Sequence, residues 1–192
     1  MHQPDEDDAA IIERSLRRPE RFAAIFDRHA AHIHRYLARR LGRQIADDLV
    51  AETFLVAFDK RARYDLGRSN ARPWLYGIAT NLARQRQREE VREYRLHVTV
   101  APEPDVDGHA DRVAARVTAA AMHGLLAEAL AGLSTGDRDV LLLIAWEDLT
   151  YDGVADALGI PVGTVRSRLN RARRQVRAAL APTPSKESVN HG

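Results

Sequence analysis

Thr150-Tyr151-Asp152-Gly153-Val154-Ala155-Asp156-Ala157-Leu158-Gly159-Ile160-Pro161-Val162-Gly163-Thr164-Val165-Arg166-Ser167-Arg168-Leu169 is the stretch that decides the fold. A helix-turn-helix needs a small residue where its helices meet, a glycine at the turn and a β-branched anchor in the second helix. Ala155, Gly159 and Val165 stand at those three places. Val154, Leu158, Ile160 and Leu169 fill the other inward positions. Gly159 suits the left-handed backbone of the turn. Thr150 is placed to cap the first helix, and Pro161 can open the second without losing a needed hydrogen bond.

With Val165 and Leu169 turned inward, Gly163, Thr164, Arg166, Ser167, Asn170, Arg171 and Arg174 remain for the outer face. No Asp or Glu occurs from Pro161 to Ala181, whereas Arg166, Arg168, Arg171, Arg173, Arg174 and Arg177 all do. Basic charge gathered on one helix is the footprint of a phosphate-binding surface. The start of such a helix reads base edges in the major groove, where arginine can bond guanine through two parallel hydrogen bonds. Ser167 and Asn170 can read bases or phosphates. Arg173, Arg174 and Arg177 suit phosphate.

The whole chain carries a net charge of only +2, so distribution rather than total charge carries the reading. Its 192 residues suggest one or two domains. Cysteine is absent, which excludes disulfides, thiol catalysis and cysteine zinc sites in this chain. The acidic N-terminus (Asp5 to Asp8) lacks a signal-peptide hydrophobic region, and no stretch reaches the ~20 apolar residues that span a bilayer. A cytoplasmic location without membrane insertion is the expectation.

Strand signals are nearly absent and helical periodicity runs almost throughout. Phe22, Ile25, Phe26, Ile33, Tyr36 and Leu37 share one face of a helix over 19–41. Ala46, Leu49, Val50, Thr53, Phe54, Ala57 and Phe58 mark a second helix. Turn formers occupy Tyr64 to Asn70. A third helix opens at Arg72-Pro73-Trp74, with Trp74, Leu75, Ile78, Ala79 and Leu82 as its core stripe. Beyond Arg84 that helix is polar all round, as a projecting helix would be. Residues 97–111 read as a linker and 182–192 as a disordered tail. Val113 to Leu133 is an alanine-rich helix, and Ser134 or Thr135 caps the next. The fold expected is all-α: two small helical domains (1–96 and 112–181) joined by a flexible linker, the second containing the helix-turn-helix.

Three stretches carry a family resemblance. Leu149 to Leu169 and on to Arg171-Ala172-Arg173 resembles the C-terminal DNA-binding region of extracytoplasmic-function (ECF) sigma factors, within the sigma-70 family. Asp47-Asp48-Leu49-Val50-Ala51-Glu52-Thr53-Phe54 resembles that family's polymerase-binding helix. Trp74-Leu75-Tyr76-Gly77-Ile78-Ala79-Thr80-Asn81 resembles the helix bearing its promoter-melting residues. The likeness runs from about Phe22 to Leu180.

The resemblance implies a non-enzymatic subunit that directs RNA polymerase to promoters and helps to open them. A region 2-like domain (1–96) would bind the β′ clamp coiled coil through Asp48, Leu49, Glu52 and Phe54. It would capture the melting −10 element with Tyr64, Arg68, Ser69, Asn70 and Asn81, while Arg84 and Arg88 held phosphate. A region 4-like domain (112–181), expected to lie near the β flap, would read the −35 element with Thr164, Arg166, Ser167, Arg168, Asn170, Arg171 and Arg174. No catalytic residue, metal or cofactor is expected. An anti-sigma factor is an expected partner.

Some alternatives stay open. Trp74 suits a core role as well as a stacking platform, and Tyr64 reads as the more exposed aromatic. Asp47 and Asp48 can complement a helix dipole, and Asp48 with Glu52 is half of a metal site with no convincing further ligands. Family members often carry another aromatic near position 70, where this chain has Asn70-Ala71-Arg72. A conventional helix-turn-helix regulator explains the C-terminal half equally well, but not the middle loop or the basic helix extension. A nuclease lacks a nucleophile or a full ligand set.

Overall fold

The computed structural model describes residues 6–98 and 124–181. The linker expected over 97–111 begins later than that, because helix continues through residues 97 and 98; its remainder, 99–111, the stretch 113–123 of the alanine-rich helix and the tail from Pro182 lie outside the described residues. Every regular element described is helical, in keeping with the all-α expectation.

The first unit begins with α1 (Asp8–Arg17), which the sequence reading does not anticipate. Its start is local chemistry: the Asp7 carboxylate accepts the Ala10 N–H at 2.8 Å. Ile11 and Ile12 are buried beneath it. A 3-10 turn (Pro19–Phe22) then leads into α2 (Ala23–Leu41). The single helix expected over 19–41 is therefore divided at Phe22. Gly42 separates α2 from α3 (Arg43–Lys60). After a second 3-10 turn (Arg61–Arg63) and a loop, α4 runs from Arg72 to Val98. Ile25, Ile33, Tyr36, Leu37, Ala57, Leu75 and Ala79 are almost fully enclosed between α2, α3 and α4.

One side chain ties α1 to the rest. Asp8 is 3% exposed. Its carboxylate takes Arg28 Nη1 at 2.6 Å, His29 Nε2 at 2.8 Å and the Ala71 N–H at 2.8 Å. Its own N–H donates to the Ser69 carbonyl at 3.0 Å. Both neighbours of Asn70 are thus fastened to the first residue of α1. Burial pushes the Asp8 pKa up, but the bonds from His29, Ala71 and Arg28 outweigh it and hold the group below its ordinary value.

The second unit packs α5 (residues 124–131) with α6 (Thr135–Glu147), α7 (Tyr151–Leu158) and α8 (Val162–Leu180). Ser134 caps α6 by accepting the Asp137 N–H at 3.2 Å. Leu133, Val140, Leu143, Val154, Val165, Leu169 and Ala172 make its interior.

The two units pack against each other. At Gly77 of α4, an added Cβ would overlap the backbone carbonyl of Ala157 in α7. Asp139 of α6 is fully buried between two arginines of the first unit: Arg40 Nη1 lies 2.5 Å from Oδ1, and Arg84 Nε donates to Oδ2 at 2.5 Å. Arg40 also donates to the Tyr36 hydroxyl at 2.9 Å, and that hydroxyl shares a hydrogen bond with Thr80. Tyr76 donates to the Glu147 carboxylate, and Arg72 donates to the Glu147 carbonyl at 3.0 Å. The Arg39 guanidinium sits 5.7 Å from the Trp146 ring centre.

This packing can be tested at two residues. Asp8 has a depressed folded pKa, so its charge stabilises the fold above the ordinary carboxylate value and that contribution is lost as pH falls through the folded value. Asp8→Asn should cost about 1–3 kcal/mol at neutral pH in thermal melts, with the gap from wild type closing as pH falls below the ordinary carboxylate range; a gap independent of pH would assign the effect to neutral hydrogen bonding. Gly77→Ala should favour α4 itself by up to about 1 kcal/mol yet separate α4 from α7, raising the radius of gyration in X-ray scattering without loss of helicity. An unchanged radius would show that the helices do not need that close approach.

Candidate nucleic-acid and polymerase interfaces

The helix-turn-helix has the local geometry its spacing calls for. The Thr150 hydroxyl accepts the Gly153 N–H at 3.0 Å, which starts α7. Gly159 ends α7 with φ +62°, in the left-handed region that glycine enters without strain. Pro161 is the residue immediately before α8. Ala155, Val165 and Leu169 are buried, and Leu158 and Ile160 are partly so.

The arginines of α8 divide into two sets. Arg166, Ser167, Asn170, Arg173, Arg174 and Arg177 are exposed, and Thr164 is half-buried. Ser167 donates to the Thr164 carbonyl at 3.0 Å. Arg171 instead grips Asp137 at the start of α6, with Nε and Nη2 each donating at 2.7 Å. The paired guanidinium holds the Asp137 carboxyl below its usual range. Arg168 also lies towards α6, its guanidinium filling the space beside Gly136. The sequence reading turns both towards DNA; Arg171 remains exposed while paired with α6, and Arg168 is half-buried beside it. The signal that could have exposed this is Asp137, an acid at the start of the preceding helix.

The loop between the second 3-10 turn and α4 forms a cleft of about 260 Å³ lined by Arg63, Tyr64, Asp65, Arg68, Asn70, Pro73, Trp74 and Asp156. Asp65 accepts the Gly67 N–H at 3.0 Å and shapes the turn. The Asn70 carboxamide oxygen accepts the Arg72 N–H at 2.9 Å and so caps α4; Asn70 itself is exposed. Tyr64 corrects the sequence reading. It is 9% exposed, more enclosed than Trp74, because its ring packs on the Trp74 ring at 5.0 Å and its hydroxyl donates to the Arg68 carbonyl at 2.6 Å. Burial and the nearby carboxylates of Asp8 and Asp65 push its pKa up to about 12. Trp74, half-buried at the cleft, is the aromatic with a face to offer.

Ser69 is exposed in that loop, and Asn81 and Arg88 are exposed on α4. Arg84 is not free to hold phosphate in this arrangement, being bound to Asp139. Arg68 is likewise paired with Asp156 of α7. The second unit therefore covers part of the cleft and occupies two of the cations expected to meet DNA.

Asp48 and Glu52 are exposed one turn apart on α3. They line a groove of about 240 Å³ with Ile45, Leu49, Leu82, Gln85, Arg86 and Glu89 of α3 and α4. Leu49 and Phe54 are each 6% exposed, and Phe54 packs edge-on to Phe26 at 4.9 Å. The two apolar residues thus build the core behind the groove, while the acids face out. Arg86 and Gln85, absent from the sequence reading of this face, are hidden in a run that looks uniformly polar. Among the described residues no group of three or more His, Asp or Glu is placed to hold a metal ion.

Comparison with known proteins places these features in one family. Residues 25–93 match the model of sigma-70 region 2, and residues 123–176 match that of sigma-70 region 4. The chain is 37% identical over 139 residues to the ECF RNA polymerase sigma factor SigC of Mycobacterium tuberculosis, covering 71% of each chain. It is 33% identical over 173 residues to SigL of the same species, covering 90% of this chain and 93% of that one. It is 30% identical over 166 residues to SigW of Bacillus subtilis, covering 83% and 88%. Among solved structures, CnrH in complex with the cytosolic domain of CnrY is similar with a TM-score of 0.64 and 25% identity, over 90% of this chain and 96% of that one. The sigma factor RpoE of Bartonella quintana, in complex with the anti-sigma factor NepR, shares the fold with a TM-score of 0.60 and 24% identity, over 83% and 96%. The chain belongs to the ECF sigma factors of the sigma-70 family, the subunits that direct RNA polymerase to particular promoters and help to open them.

Proposed function

We propose that the two units divide promoter recognition along the surfaces described above. The observation that carries this is the exposed, acid-free outer face of α8, presented by the left-handed turn at Gly159. Thr164, Arg166, Ser167 and Asn170 read base edges of the upstream element in the major groove. Arg173, Arg174 and Arg177 hold phosphate. Arg168 and Arg171 keep α8 at its angle on α6.

The first unit docks on the β′ clamp coiled coil with Asp48 and Glu52, whose charges suit basic residues on the partner. The cleft under Trp74 receives a base of the downstream element once it leaves the stack, a step that needs a pocket to repay the unstacking energy. Arg68, Ser69, Asn70 and the Asn81 amide surround that base, and Arg84 and Arg88 hold the backbone beside it. Arg68 and Arg84 are bound by Asp156 and Asp139 in the closed packing, so the units separate before both elements are engaged. The protein works without catalysis of its own, in the cytoplasm, and takes an anti-sigma factor as its inhibitor. The solved complexes of CnrH with CnrY and of RpoE with NepR support that last assignment.

Transcription from a mapped promoter with purified core polymerase is the test. Specific initiation is expected; a protein that binds duplex DNA but neither core enzyme nor start site would instead be a conventional regulator. Arg166→Ala should weaken binding to the upstream element by ~1–3 kcal/mol and relax preference at one base position, whereas equal loss on all sequences would make Arg166 a phosphate contact. Glu52→Arg should impair association with core polymerase and leave duplex binding by α8 intact. Undiminished association would remove Glu52 from the interface.

A further inference from the structure

Residues Asp8–Phe22 precede the region 2 match. The face they present is strongly basic. Arg14, Arg17, Arg18 and Arg21 are exposed and together line one shallow cleft of about 360 Å³. Arg14 pairs with Glu6 at 2.9 Å. Arg17, Arg18 and Arg21 make no ion pair among the described residues, although Glu13 and Glu20 are close in sequence. The negative end of α1 relieves part of the repulsion between them. Three unpaired cations around one cleft nonetheless amount to a ready anion site.

Helix α1, which carries Arg14 and Arg17, packs on the second 3-10 turn, which borders the base-capture cleft. Phe22, next to Arg21, meets Phe58 edge-on at 5.5 Å. The Arg61 guanidinium stacks 3.7 Å from the centre of the Phe58 ring. Arg63, at the end of the same 3-10 turn, already lines the cleft that holds Tyr64, Arg68 and Trp74. Asp8, at the start of α1, bonds Ser69 and Ala71 in the loop beside that cleft.

We propose that Arg17, Arg18 and Arg21 form a phosphate-binding track for single-stranded promoter DNA, holding the backbone of the strand as it leaves the base-capture cleft. The proposal rests on the reading of that cleft as the place where a base is captured. A strand whose base is held under Trp74 must carry its next phosphates across the adjoining surface, and on this side that surface is basic. Neutralising strand phosphates by counterion release depends on positive charge that either arginine or lysine supplies, so lysine can replace arginine in the track.

The test uses holoenzyme assembled from core polymerase and the full chain. Forked promoter fragments are compared whose single strand either ends at the captured base or extends beyond it on one side or the other. The triple variant R17Q/R18Q/R21Q should bind one of the extended forks on the order of tenfold more weakly at moderate salt. Its log–log salt slope should fall by about 2, at ~0.7 for each single-strand phosphate. On the fork that ends at the captured base it should match wild type, and R17K/R18K/R21K should restore the slope. Equal affinity and slope on every fork would overturn the proposal. So would a loss that persists on the short fork, or one that is confined to core binding or to anionic lipid vesicles. Arg68→Ala is scored on the short fork in parallel: if it causes no loss there, the capture reading fails, whereas failure of the track alone leaves that loss in place.

Discussion

Asp139 is a carboxylate of the second unit with no access to water, held between Arg40 and Arg84 of the first. Taking such a group out of water costs several kcal/mol unless good partners surround it, and removing one partner of a buried pair typically costs about 3–5 kcal/mol. The partners here come from two different helices of the other unit, and Arg40 is itself seated on Tyr36 and, through it, Thr80. The pairing therefore works only if α6 arrives in one position. That position sets α7 against Gly77 and brings Asp156 to Arg68.

The same network gives the closed packing a functional meaning. Its arginines are not spare surface cations: Arg84 and Arg68 are the groups proposed to meet promoter phosphate and the captured base. DNA and the second unit compete for them. DNA offers phosphate in a wet, screened setting, whereas Asp139 offers a carboxylate in a dry one. On the proposed reading, the first unit engages DNA fully only after Arg84 and Arg68 are released from Asp139 and Asp156. The groove that holds the exposed Asp48 and Glu52, the proposed polymerase-docking face, is lined by Gln85 and Arg86 and does not include Arg40, Arg84 or Asp139. Docking there can thus begin before the units part.

Legibility in the sequence follows the range of the interactions. The helix-turn-helix is readable because capping by Thr150, the turn at Gly159 and the inward positions of Val165 and Leu169 all lie within some 20 residues and obey local rules. The starts of α4 and α6 are readable for the same reason. Helix α1 escapes because its polar opening masks Asp7 as a cap and Ile11 and Ile12 as a buried face. Arg84, Arg168 and Arg171 read alike in sequence as exposed cations. What distinguishes them is Asp139, Gly136 and Asp137, which lie 55, 32 and 34 residues away, and no periodicity links such pairs. Tyr64 and Trp74 exchange their expected exposure because one ring packs on the other, and only the loop's path decides which is covered.

The closed packing and its release can be measured directly by pulsed electron spin resonance. The chain has no native cysteine, so labels at Glu13→Cys in the first unit and Ala178→Cys in the second are unique within it. Free protein should give one narrow distance distribution, and binding to core polymerase should shift it to longer distances. A broad distribution in the free protein, or one that polymerase leaves unchanged, would contradict a closed state held by Asp139 and opened for promoter recognition.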